Sequence, residues 1–210
     1  MKNKLLQTIN EELGRGNKVY PGTLNIICGT YGQYKTHTLC KIAGEYLEQS
    51  KKVLYFTFET TYVDIAKRIY NNIHINKTQH LQIIEIQSTP DNNFIDNTIN
   101  GMGFTPDVII VDTLEDTLDN NYIPDYGTIK KQLEQFRQSG WTHEAEMWVS
   151  HNIMRRGKDD VGEPQWSVIG CSDSCLQIHT NDLLLSKEQI MYETIKARYS
   201  ERRKLFLEDL

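Results

Sequence analysis

Eight residues, Gly29 to Thr36, read GTYGQYKT. They follow the apolar run TLNIIC and open a stretch of helical periodicity, which is the setting of a G-x-x-x-x-G-K-[ST] phosphate-binding loop. A glycine-containing turn between a strand and a helix presents backbone N–H groups and the positive end of the helix dipole to phosphate oxygens. In that chemistry Gly29 and Gly32 shape the turn, with Gln33 and Tyr34 beside them. Lys35 reaches the β- and γ-phosphates, the Thr36 hydroxyl ligates Mg²⁺, and the expected ligand is ATP. Tyr34 stands where the pattern has glycine, whose freedom allows torsions and a close phosphate approach that a Cβ and a ring hinder. Affinity and hydrolysis are the properties this departure puts at stake.

Two carboxylates stand where they would complete such a site. Asp112 ends the run VIIVD, the position for a second metal-associated acid beside the loop. Glu59 closes VLYFTFE and is placed to orient or deprotonate an attacking water. Ligand-directed residues collect at the carboxyl ends of parallel strands, so the three groups reinforce one another only if the chain forms a parallel sheet.

Periodicity predicts that it does. TLNIICG, VLYFTF, LQIIEI, DVIIVD and EMWVSH read as strands, DVIIVD being the near-continuous apolar run of a strand buried on both faces. Between them, helical spacing joins Leu39, Ile42, Ala43, Tyr46 and Leu47, then Tyr62, Ile65, Ala66 and Ile69, then Ile129, Leu133 and Phe136. This alternation predicts an α/β fold with a doubly wound, mostly parallel sheet. The segment HNIMRRGKDDVGEPQW reads as a long loop or lid, and the alternating stretch from Asn181 onward as antiparallel strands added to one edge. Residues 1–20 form a separate short element: Leu5, Leu6, Ile9 and Leu13 share one face of a helix ended by Gly14 and Gly16. That face packs on its own domain or serves as an arm docked on a neighbouring subunit.

The chain has 210 residues, room for one substantial core, with 23 Lys and Arg against 28 Asp and Glu for a net charge of -5. That balance excludes a wholly basic nucleic-acid coat and leaves a local basic channel open. Cys28, Cys40, Cys171 and Cys175 lack CxxC spacing, so reduced, buried thiols are expected rather than zinc or disulfides. No apolar run reaches the ~18–20 residues of a bilayer span, which predicts a soluble, cytoplasmic protein with no membrane partner.

In order, PGTLNIICGTYGQYKT, KKVLYFTFE, DVIIVD, WVSHN and IKARYS resemble the successive motifs of RecA-like ring helicases, the DnaB-like replicative helicases of bacteria and phages. The likeness runs from about Pro21 to the C-terminus. It implies a RecA-like P-loop NTPase core over 21–210, in a hexameric ring that hydrolyses ATP between subunits and moves 5′ to 3′ on single-stranded DNA. Carried over by residue, it implies that Lys35 and Thr36 bind phosphate and magnesium, that Glu59 is the catalytic carboxylate and that Asp112 is the second metal-associated acid. His151 matches the polar sensor of the γ-phosphate. Lys196 and Arg198 match a basic pair inserted into the next subunit's site, and residues two apart on a strand share a face. Arg155, Arg156 and Lys158 fall in the loop that holds the DNA backbone in the channel. Asp159 and Asp160 follow at once, so an ordinary charged surface loop is the other reading. A primase or loader would be a separate chain. The competing functions are a nucleotide-gated single-stranded-DNA-binding or recombination-accessory protein, and a scaffold whose nucleotide site has decayed.

Overall fold

The computed structural model describes residues 5–16, 18–71, 78–118, 126–153, 164–180, 189–197 and 204–208. Strands β1 (Leu24–Gly29), β2 (Val53–Thr57), β3 (Leu81–Glu85), β4 (Val108–Asp112), β5 (Glu146–Asn152) and β6 (Ser174–His179) lie parallel in the order β3-β2-β4-β5-β1-β6. β7 (Gln189–Ala197) pairs antiparallel with β6, and β8 (Lys204–Glu208) antiparallel with β7. The expected α/β architecture, mostly parallel with antiparallel strands at one edge, is therefore present.

Helices cover both faces. On one lie α1 (Leu5–Glu12), α2 (Lys35–Glu48) and α3 (Tyr62–Tyr70), packed over Ile27, Tyr55, Ile110, Trp148 and Leu176. On the other, α4 (Phe94–Met102), α5 (Tyr126–Thr142) and α6 (Trp166–Cys171) cover the other set of strand side chains, among them Ile26, Phe56, Val111, Val149 and Cys175. Alternate residues of each strand thus enter separate cores, which is why β1, β2 and β4 are buried at every position.

Two details differ from the periodicity reading. Tyr62 is 56% exposed at the start of α3, where Ile65 and Ile69 alone are fully buried. Thr61 precedes it as the N-cap, its side chain accepting from the Asp64 N–H, so Tyr62 sits in the first turn before the buried face begins. Cys171 is only partly buried, whereas the other three cysteines are buried and all four are free thiols. The apolar face of α1 lies against its own chain: Leu5, Leu6, Ile9 and Leu13 are 0–6% exposed, each contributing roughly 1.5–3 kcal/mol by burial. The Glu45 carboxylate of α2 accepts the Leu6 N–H at 3.1 Å, capping the helix start.

At the amino ends of the strands a buried polar network ties this segment down. Arg15 Nη1 donates to Asn25 Oδ1 (3.0 Å) and meets Glu146 Oε1 at 3.4 Å, while Tyr46 OH (3.0 Å) and the Tyr20 N–H (2.9 Å) donate to Glu146 Oε2. Among the described residues no helix is long and apolar enough to cross a membrane.

Candidate functional site

Register places the chemistry at one end of the sheet. Gly29 is level with Asn152, Cys28 with His151, and Thr57 with Asp112, so the loops after β1, β2, β4 and β5 open together at the carboxyl ends of parallel strands. The order of the strands brings in groups far apart in sequence, because β4 and β5 lie between β2 and β1.

The loop after β1 is held from within. Gln33 is 4% exposed, and its Oε1 accepts the Thr30 N–H at 2.8 Å, so this side chain is engaged by the loop itself. The Gln33 N–H donates to Thr30 O at 3.1 Å. Gly29 lies close under two side chains: a Cβ there would lie 3.3 Å from Gln33 Oε1 and 3.4 Å from Lys35 Cγ. Gly32 has open space around it but a φ of 78°, a torsion that favours glycine.

Lys35 is 6% exposed, its ammonium donating to Gly29 O (3.3 Å) and Thr30 O (3.0 Å). Burial pushes its pKa down, and the charges of Glu115, Asp112 and Glu59 pull it back up. All three carboxylates are thus electrostatic neighbours of the amine. Thr36 and His37 follow in the first helical turn, whose N–H groups have no intrahelical acceptor. No side chain caps this end, and the buried Thr30 hydroxyl has no partner among the described residues. An uncapped helix start, an orphaned hydroxyl and a buried cation suit an anionic ligand.

Tyr34 occupies the glycine position of the loop in a left-handed conformation, φ 31° and ψ 16°, with its ring 36% exposed. The torsion expected of glycine is therefore kept by a tyrosine, at a cost of roughly 1–2 kcal/mol. Tyr34→Gly is expected to raise stability by about 0.5–1 kcal/mol, since glycine removes the strain and returns part of it as unfolded-chain entropy. Tyr34→Ala keeps the strained Cβ and should give no such gain. Denaturant midpoints of the two variants check this, and equal shifts would mean that the ring, not the backbone, sets the effect.

Asp112 is 3% exposed at the end of β4; Tyr55 OH donates to one oxygen at 3.0 Å and Ser150 Oγ to the other at 2.5 Å. Neither hydroxyl partner was anticipated, although both lie on predicted strands with the alternation that faces them toward Asp112. Among the described residues no group of three or more His, Cys, Asp or Glu could hold a metal ion. Thr36 in the first turn of α2 and Asp112 at the end of β4 each carry oxygen, the ligand atom that Mg²⁺ takes.

Glu59 is exposed just beyond β2. Its pKa is raised by partial burial and by repulsion from Asp116 and Asp112, with Lys35 opposing. Asp116 is also raised, again by burial first, although Thr113 Oγ1 donates to it at 2.9 Å. His151 Nδ1 lies 2.5 Å from Glu115 Oε1, and the same carboxylate accepts from the Asn152 N–H (3.0 Å) and Nδ2 (3.2 Å). Burial alone would raise the Glu115 pKa, but the hydrogen bond and charge of His151, with the backbone N–H groups of Glu115 and Asn152, together outweigh it and hold the group low. Glu115 and Asp116 were missed at the sequence level, though an acidic pair three and four residues past Asp112 was a visible signal.

The structure therefore brings Lys35, Thr36, Glu59, Asp112 and His151 to one end of the sheet. Lys196 is engaged within its own chain: Nζ donates to Ile169 O (2.7 Å), Gly170 O (3.2 Å) and Ser172 O (2.5 Å) at the end of α6. Arg198, Arg155, Arg156 and Lys158 lie outside the described residues, as does most of the segment read as a lid.

No family model matches the chain. It is similar to a DnaB-like replicative helicase of Enterobacteria phage T4, with 24% identity in an alignment of 225 positions that covers 87% of this chain and 47% of the phage protein. The chain thus spans about half the length of the curated relative it matches.

Proposed function

We propose that this chain is a RecA-like ATPase core of the DnaB-like replicative helicase type, which hydrolyses ATP between the subunits of a ring to move on single-stranded DNA. The observation that carries the reading is the buried Lys35, at an uncapped helix start, in the field of Glu59 from beyond β2 and of Asp112 and Glu115 from the end of β4 and the turn after it. The distant likeness to a phage helicase over most of the chain supports the same assignment.

In this reading the N–H groups opening α2 and the Lys35 ammonium bind the phosphates of ATP. Lys35 leaves the carbonyls of Gly29 and Thr30 to do so, and it gains a charge-assisted contact in a dry site. Mg²⁺, when bound through Thr36 and Asp112, neutralises phosphate charge. Tyr55 and Ser150 hold Asp112 with its carboxylate fixed, while Glu59 takes the proton of the attacking water at its carboxylate oxygen. His151 senses the terminal phosphate. Arg155, Arg156 and Lys158 hold the DNA backbone, and Arg198 reaches the neighbouring subunit's nucleotide; Lys196 supports it by fixing β7 to α6. A primase or loader acts as a separate chain.

The test is steady-state ATP hydrolysis with and without single-stranded DNA, beside Lys35→Ala. DNA-stimulated hydrolysis that falls by at least about 100-fold in the variant supports the reading, the loss expected when a charged group that stabilises the transferred phosphoryl is removed. Absence of hydrolysis under both conditions overturns it. Tyr34 in the glycine position favours one competitor, a scaffold whose nucleotide site has decayed. Absence of ATP binding in the wild type, restored in part by Tyr34→Gly, would select that reading.

A further inference from the structure

Beyond its field at Lys35, the carboxylate that faces His151 has no role in the proposed reaction, and its geometry is specific. Glu115 lies in the short turn after β4 (Glu115–Thr117), His151 on β5, and their side chains meet at 2.5 Å. The second oxygen and the first together grip Asn152 through its backbone N–H and its amide. An ionised carboxylate only accepts hydrogen bonds, so Nδ1 must carry the proton. That leaves Nε2, which no hydrogen bond among the described residues engages, as the ring nitrogen open to a ligand.

We propose that Glu115 is a positioning residue for the phosphate sensor: it holds the Nδ1 proton and the ring orientation of His151 and so dedicates Nε2 to the terminal phosphate. This rests on the nucleotide-site reading. A carboxylate on the far nitrogen of an imidazole orients the ring and stabilises the imidazolium, the form that donates Nε2–H to an anionic oxygen. The electrostatics agree, because against burial the His151 contact helps to hold the Glu115 pKa low. Glu115 also stands close enough to Lys35 to act on its charge. One carboxylate therefore ties the end of β5, where Ile153 N–H donates to Gly29 O at 3.0 Å, to the loop after β1 and to the turn after β4.

Two measurements test it. The first needs no catalysis: ¹⁵N-histidine spectra of the wild-type protein, with His151 assigned through His151→Gln, should show Nδ1 protonated. A neutral Nε2–H tautomer with bare Nδ1 overturns the proposal. The second compares Glu115→Gln, His151→Gln and the double variant. Glu115→Gln is expected to lower kcat roughly 10- to 100-fold with KM changed less than about twofold, and the double variant to lose no more than His151→Gln alone. Additive losses, or a Glu115→Gln effect confined to KM, overturn it. Lack of hydrolysis in the wild type would instead sink the functional reading, and the spectra would still decide the pairing.

Discussion

Glu59→Gln is expected to lower ATP hydrolysis by about 10²–10⁴-fold, the usual contribution of a positioned general base, while leaving nucleotide binding intact. The carboxylate is exposed at the end of β2, free of the hydroxyl donors that hold Asp112, and its pKa is raised by partial burial and by Asp116 and Asp112. A raised pKa brings the base nearer the working pH. Its sign is definite: the group must be ionised to act, so kcat/KM should fall as pH drops through a value above the ordinary glutamate range. Asp116 is the internal control, because it is also raised but is bonded to Thr113 Oγ1. Hydrolysis and binding measured for Glu59→Gln and Asp116→Asn assign the base. If Asp116→Asn lost the activity and Glu59→Gln kept it, the role would pass to Asp116.

Arg15→Met is expected to destabilise the fold by about 3–5 kcal/mol, the cost of leaving a buried charge without its partner. The Arg15 and Glu146 side chains are 2% and 0% exposed. Loss on that scale is a large part of the roughly 5–15 kcal/mol that holds a typical domain. Burial already raises the Glu146 pKa, and Tyr20 N–H, Arg15, Tyr46 and Asn25 offset it. Without Arg15 the shift grows upward. The folded state then binds a proton that the unfolded state releases above about 4.5, so the variant loses further stability as pH rises. Denaturant unfolding at pH 6 and 8 should show the larger deficit at pH 8, with partial recovery in Arg15→Met/Glu146→Gln. A deficit under 1 kcal/mol, or one larger at pH 6, would mean that Asn25, Tyr46 and the Tyr20 N–H alone satisfy Glu146.

Arg15 also illustrates what a linear reading overlooks. It was a cation in a polar stretch between a helix and a strand, and only the approach of Glu146, 131 positions away, makes it a buried partner. Lys196 is similar. Alternation along IKARYS placed it on a face with Arg198, but three carbonyls at the end of α6 take its ammonium. Three elements had no clear signal. α4 reads FIDNTINGM, with three buried apolar side chains among Asn and Asp. α6 has only six residues, and β6, SCLQIH, mixes polar and apolar types. β6 is nonetheless buried because β1 and β7 flank it, with Ser174 Oγ donating to Asn25 Oδ1 at 2.7 Å.

By itself the sequence determined the strands β1 to β5, the helices α1, α2, α3 and α5, the antiparallel edge and the candidate loop residues. Hydrophobic period, glycine torsions and residue chemistry are local properties that a short window contains. Only the tertiary structure decided which polar groups meet: Tyr55 and Ser150 on Asp112, Glu115 on His151, three carboxylates around Lys35, and a left-handed Tyr34 closing the loop. Those meetings follow from strand order and register, which set side by side residues that are tens of positions apart in the chain.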